Sequence, residues 1–118
     1  MSVESTLFRE PSEPERGLLA TVARLATDVD PAWIEGVKVR PMNDGGMGSL
    51  ELAPPGTSGS QRRFGRKVAE YQFTDADGVE VLVSLNVDTD GRPLELDVWK
   101  TDFSPLVRIP TLVDRRSI

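Results

Sequence analysis

Residues 94–106, reading L-E-L-D-V-W-K-T-D-F-S-P-L, constrain the fold more than any other part of the chain. Apolar and acidic side chains alternate as far as Val98, and Trp99, Lys100, Asp102 and Phe103 follow where an extended strand should end. A period of two sends successive side chains to opposite sides of a sheet, so this run calls for a sheet with one dry and one wet face. Two earlier segments obey the same rule. Residues 67–74 set Ala69, Tyr71 and Phe73 on one side, and residues 79–87 do so with Val79, Val81, Val83, Leu85 and Val87. In residues 93–99 the matching set is Leu94, Leu96 and Val98. Between these strands lie Asp75-Ala76-Asp77-Gly78 and Asp88-Thr89-Asp90-Gly91, two hairpin turns in which Asp bonds nearby backbone and Gly takes positive φ.

Upstream the period is helical. Ser12-Glu13-Pro14-Glu15 is a capping box with Pro in the first turn, where its missing N–H is of no consequence. Leu18, Val22, Leu25 and Val29, flanked by Leu19, Ala23 and Ala26, form one apolar stripe, and Pro31 predicts a helix end within residues 27–30. Residues 37–40 and 48–53 read as a further hairpin about Asn43-Asp44-Gly45-Gly46. The sum is an α+β domain: an N-terminal helix laid on an antiparallel meander of about five strands. Residues 1–11 are expected to be a flexible arm, 12–113 a single domain and 114–118 a tail. Residues 54–63, rich in Pro, Gly and Ser, form the longest expected loop and the one expected to move most. Pro105 and Pro110 assign residues 107–113 to an edge or wrapping segment.

Composition narrows the chemistry. At 118 residues there is length for one core and not two. With no Cys and no His, disulfides, thiolate nucleophiles, histidine-based triads and the usual zinc, copper and haem ligands are excluded. Nineteen acidic against fourteen basic side chains, a formal charge of −5, argue against an overall footprint for nucleic acid or anionic membrane. Arg62, Arg63, Arg66 and Lys67 are read as a solvated stretch entering a strand. No basic region precedes an apolar run at the start of the sequence and no apolar stretch is long enough to span a bilayer, so a cytoplasmic location is the expectation.

Candidate sites follow from the wet side of the sheet. Glu70, Glu80, Ser84, Asn86, Glu95, Asp97 and Trp99 share it, giving an acidic surface with an aromatic at its margin. The residues selected for binding are Glu95, Asp97, Trp99, Lys100, Asp102 and Phe103, since Trp suits a buried anchor and acidic surroundings favour a basic protein partner. Carboxylate pairs for acid–base work can be drawn on the same strands, but alternation generates them by default, and no catalytic residue is assigned. The D-x-D-G turns lack the further ligands of a calcium loop. Gly45-Gly46-Met47-Gly48-Ser49 lacks the Lys and helix of a phosphate loop. Its glycines exceed what a hairpin needs, which leaves close approach of another backbone or a ligand open. No cofactor or metal is called for.

The stretch Asn43-Asp44-Gly45-Gly46-Met47-Gly48-Ser49-Leu50, together with Glu95-Leu96-Asp97-Val98-Trp99-Lys100-Thr101-Asp102-Phe103-Ser104-Pro105-Leu106, resembles a family of small uncharacterised bacterial domains carrying D-G-G-M-G-S-L and E-x-D-x-W-K-x-D-F-x-P-L. The resemblance covers most of residues 9–110 and implies a single domain of unknown function, with no catalytic residue to carry over. In type, though not in motif, the chain is also similar to the immunity proteins of bacterial toxin systems, which are often small, acidic, cytoplasmic and α+β. The leading expectation is a non-enzymatic interaction module, with toxin neutralisation as one role. The alternative is a small ligand-binding or carboxylate-dependent enzymatic roll with a pocket lined by Tyr71, Trp33 and an inward carboxylate. A homodimer through a sheet edge or face is a third.

Overall fold

The computed structural model describes residues 7–57 and 61–110. Helix α1 (Glu13–Leu25) starts as its capping box dictates: Ser12 Oγ accepts from the Glu15 amide at 3.2 Å and the Glu15 carboxylate accepts from the Ser12 amide at 2.8 Å. Leu18, Leu19, Val22, Ala23 and Ala26 are buried, whereas Leu25, expected in the stripe, is 48 % exposed. At about 100° per residue, the buried arc is centred on Leu19, Val22 and Ala26, and Leu25 falls at its margin. The helix also stops earlier than expected. Ala26 leaves helical geometry because the following residues serve a second start: Asp30 caps the short 3₁₀ helix Pro31–Ile34, accepting from the Ala32 amide at 3.0 Å. That turn buries Trp33.

Five antiparallel strands follow: β1 (Lys38–Pro41), β2 (Leu50–Ala53), β3 (Phe64–Thr74), β4 (Glu80–Asp88) and β5 (Pro93–Lys100). Their spatial order is β1-β2-β5-β4-β3. The α+β class and the antiparallel sheet match the sequence reading, and the plain meander is corrected at one junction: β2 lies beside β5 instead of β3. Between β2 and β3 the chain therefore passes from one half of the sheet to its far edge, and residues 58–60 of the loop expected to move most lie outside the described residues. Arg62, read above as part of a solvated stretch, is packed into this crossing. Its guanidinium donates to Leu52 O at 2.7 Å, to Asp88 at 2.9 Å and to Pro93 O.

The dry face has continuous rows. Leu50, Leu96, Leu85 and Ala69 are in register across four strands, and Val98, Val83 and Tyr71 form the next row. α1 packs over β3 and β4 to close this face. Each fully buried Leu or Val here contributes about 1.5–3 kcal/mol relative to exposure. Leu94, expected among them, is only half-buried, because Asn86 pairs with Glu95 and Val87 with Pro93, leaving Leu94 as the extra residue of a bulge. Part of the segment expected to be an arm lies against the sheet edge. Arg9 and Val39 exchange both backbone hydrogen bonds at 2.8 Å, and the Arg40 guanidinium sits 4.2 Å from the Phe8 ring centroid. Residues 1–6 and the expected tail lie outside the described residues.

Candidate functional site

The face of the sheet opposite α1 is organised by the same register. One row runs Arg40, Glu51, Glu95, Asn86 and Lys67 across all five strands. Glu51 and Glu95 stand directly opposite one another, an arrangement that is unfavourable for like charges. Arg40 offsets it at Glu51, at 2.6 Å, whereas among the described residues Glu95 takes a 2.9 Å hydrogen bond from the neutral Asn86 amide. The next row is Asp97, Ser84 and Glu70, and the one after it Trp99, Leu82 and Gln72. Glu80 beyond them accepts from Gln72 at 2.6 Å and Thr74 at 3.1 Å, both neutral.

At the end of β5 the alternation turns Trp99 outward and Lys100 inward. Trp99 is 41 % exposed and Phe103 68 %, and their rings meet at 5.9 Å between centroids with a tilt of 53°. Phe103 has φ 65°, the left-handed region that a bulky side chain seldom occupies. It is held there locally: its amide donates to Lys100 O at 2.8 Å, and the Asp102 carboxylate accepts from the Ser104 amide at 3.0 Å and hydroxyl at 2.6 Å. The Ser104 hydroxyl is the leading cause of the lowered pKa of Asp102.

Lys100 explains why the corner keeps this shape. Its side chain is fully buried, and its Nζ donates to Asp77 at 2.6 Å, Asp75 at 2.8 Å and Pro105 O at 3.0 Å, which uses all three ammonium hydrogens. Asp75 in turn accepts from the amides of Ala76, Val107 and Arg108 at 2.7, 2.7 and 3.1 Å. Burial works against ionisation of this carboxyl, yet Lys100 and the three amides overcome it and hold its pKa down to about 2 from 3.8. Lys100 shows the converse: desolvation opposes its charge, and the two aspartates raise its pKa. The strap after β5 is thus latched onto the turn between β3 and β4.

The glycine-rich loop receives the same strap. Leu106 N donates to Gly46 O at 3.0 Å, and a Cβ at Gly46 would stand 3.3 Å from Pro105 Cβ. At Gly48, with φ 103°, a Cβ would be 3.1 Å from the Leu106 side chain. The surplus glycines therefore admit a neighbouring backbone. Asp44 fixes the loop by accepting from the Met47 and Ser49 amides at 3.1 and 2.9 Å, and Ser49 Oγ accepts from Val98 N at 2.8 Å. The two stretches that carried the family resemblance lie side by side, joined by these bonds.

Of the selected residues, Glu95, Asp97 and Trp99 line the outer face and Asp102 and Phe103 stand at its corner, while Lys100 points away from it and has no exposed surface to offer a partner. Its inward position was legible, since it shares the parity of Leu96 and Val98. The sequence marks Asp75 and Asp77 as turn residues; that their carboxylates hold Lys100 depends on the three-dimensional approach of the turn. Trp33 is in the core and Tyr71 packs against it. Trp33 borders a depression of about 400 Å³ with Asp30 and Arg92, and Tyr71 does not line it. A larger open groove, of about 810 Å³, lies where Phe8, Pro54, Pro55 and Leu94 meet Glu51 and Glu95. Among the described residues no carboxylate group is arranged to hold a metal ion, and no helix is long and apolar enough to cross a membrane.

No curated protein and no solved structure matches the chain. Its single helix on an antiparallel sheet, with the strap closing at residues 105–110, coincides with the extent of one family model. The chain belongs to the family described as Domain of unknown function (DUF6984), whose model matches residues 8–110.

Proposed function

We propose that this domain is a non-enzymatic protein-interaction module of the bacterial cytoplasm that binds a basic protein partner through the outer face of its sheet, with toxin neutralisation as the role that suits it. The observation that carries this reading is the exposed Trp99–Phe103 pair, presented on a corner that a buried ion pair holds in place. Rigid aromatic side chains at the edge of a charged face supply binding anchors at little entropic cost, and carboxylates beside them that take hydrogen bonds from neutral groups among the described residues, Glu95 and Asp97, favour encounter with positive charge. Affinity capture from native lysate, comparing wild type with a folded Glu95→Lys/Asp97→Lys variant, tests it. A stoichiometric basic partner retained only by wild type is expected. Equal recovery by both would remove Glu95 and Asp97 from the interface.

A second reading, a small ligand-binding domain, is favoured by the groove of about 810 Å³, which falls in the size range of small-molecule sites and sets Phe8, Pro54, Pro55 and Leu94 among the charged side chains of Lys38, Arg40, Glu51, Arg62 and Glu95. It predicts saturable ligand binding that Leu94→Arg abolishes and that changes at Trp99 leave alone. Self-association through the outer face would instead appear as concentration-dependent sedimentation.

A further inference from the structure

The row Trp99, Leu82 and Gln72 sets two apolar side chains beside a neutral amide, with carboxylates in the rows on either side. On one side stand Asp97 and Glu70; on the other stands Glu80, whose backbone carbonyl accepts from the Thr101 amide at 3.0 Å. Adjacent rows on one face are about 6.7 Å apart, twice the rise per residue of a strand. A cation resting on the indole would therefore lie one row from Asp97 on β5 and diagonally across from Glu80 on β4. Glu70 is already paired with Lys67. Among the described residues Asp97 and Glu80 take hydrogen bonds from neutral groups only: Ser49 at 3.5 Å for Asp97, and Gln72 and Thr74 for Glu80. Phe103 walls one end of the row, its ring tilted against Trp99 and fixed by its backbone.

From this arrangement we infer that the Trp99–Leu82 strip is the seat of an arginine side chain from the protein partner, its aliphatic stem on Leu82 and its guanidinium over the indole between Asp97 and Glu80. The inference rests on the reading of the outer face as an interaction surface and adds the chemistry of what it grips. Arginine fits better than lysine for a physical reason. Its planar, weakly hydrated guanidinium stacks on an aromatic ring while its edge donates to carboxylates, whereas a compact ammonium keeps its water. The stem covers apolar surface in the manner of long basic side chains generally.

The test uses three short synthetic peptides alternating threonine with arginine, lysine or citrulline, titrated at low ionic strength against the full chain, its Trp99→Leu variant and its Glu80→Gln/Asp97→Asn variant. Trp99, Glu80 and Asp97 are all exposed, so these variants should melt like wild type. The arginine peptide is expected to bind wild type about threefold to tenfold more tightly than the lysine peptide. The neutral citrulline peptide should bind weakest, and Trp99→Leu should remove the arginine preference. Equal affinity for arginine and lysine, an arginine preference that survives Trp99→Leu, or no binding by any peptide would overturn the inference. The capture experiment above judges the interaction surface separately: a partner lost on reversing Glu95 and Asp97, without any arginine preference, defeats the arginine seat and leaves the surface standing.

Discussion

The D-x-D-G corners at Asp75 and Asp88 share a sequence pattern and a hairpin geometry, yet they hold different parts of the molecule. At each, the first aspartate is buried, accepts from amides and meets one cation. Asp88 binds Arg62 at 2.9 Å together with the amides of Asp90 and Arg92, so it fastens the incoming crossing from β2 to β3. Asp75 binds Lys100 together with the amides of Val107 and Arg108, so it fastens the outgoing strap. The cations differ as well: Arg62 spreads its charge over three carbonyls and keeps some exposure, whereas Lys100 is sealed. One turn device thus serves as a joint in the fold at one corner and as the support of the exposed aromatic pair at the other.

The largest effect that can separate the two corners is removal of their charges. Asp75→Asn should lower stability by about 3–5 kcal/mol, since it withdraws the fully buried partner of a buried ammonium. Asp88→Asn should cost about 1–3 kcal/mol, because Arg62 retains its carbonyl acceptors. Urea midpoints measure both, and equal losses would erase the distinction.

Acid should act through the same groups. A carboxyl whose folded pKa is depressed adds stability that is present above its unfolded value and is lost as pH falls through the folded one. For Asp75 that window runs from about 3.8 down to about 2. Asp88 moves in the same direction, with burial opposing ionisation and the Arg92 amide and Arg62 outweighing it. Lys100, whose pKa is raised by its two aspartates, keeps its charge throughout this range, and its contribution with both carboxylates ionised is lost only as pH rises into strong alkali. Urea midpoints should therefore fall between pH 4 and pH 2, less steeply in Asp75→Asn. An equally steep fall in that variant would show that Asp75 is not among the groups responsible.

A smaller effect distinguishes the two ends of the glycine loop. Gly45 and Gly48 both have positive φ, and Ala there is strained by about 1–2 kcal/mol. Only at Gly48 does the new Cβ also press on Leu106. Gly48→Ala should therefore exceed Gly45→Ala in destabilisation and speed hydrogen exchange at the Leu106 amide; identical exchange would mean that the strap does not lean on this loop.

Much of this architecture was legible because its causes are local. The Ser12 capping box, the period-two runs and the two turns each specify their own geometry from neighbouring residues. The placement of β2 beside β5 was not, since it depends on Leu50 meeting Leu96 and on Ser49 bonding Val98 across distant segments. Leu94 misled for a related reason: alternation counts residues, and a bulge breaks the count without a local mark. At the candidate site, parity alone put Glu95, Asp97 and Trp99 on the outer face. The same parity turned Lys100 inward, but its counter-ions belong to a turn that the sequence explains equally well without them.

The smallest expected change in stability accompanies the most direct test of the central claim, that the latched corner exists to meet a partner. Trp99→Leu/Phe103→Gly removes both exposed rings and relieves the left-handed backbone at Phe103, so its stability should change by less than about 1 kcal/mol. Affinity capture with this variant and wild type at matched expression should recover a stoichiometric basic partner with wild type alone. Recovery of the same partner in equal amount by the folded variant would contradict the account.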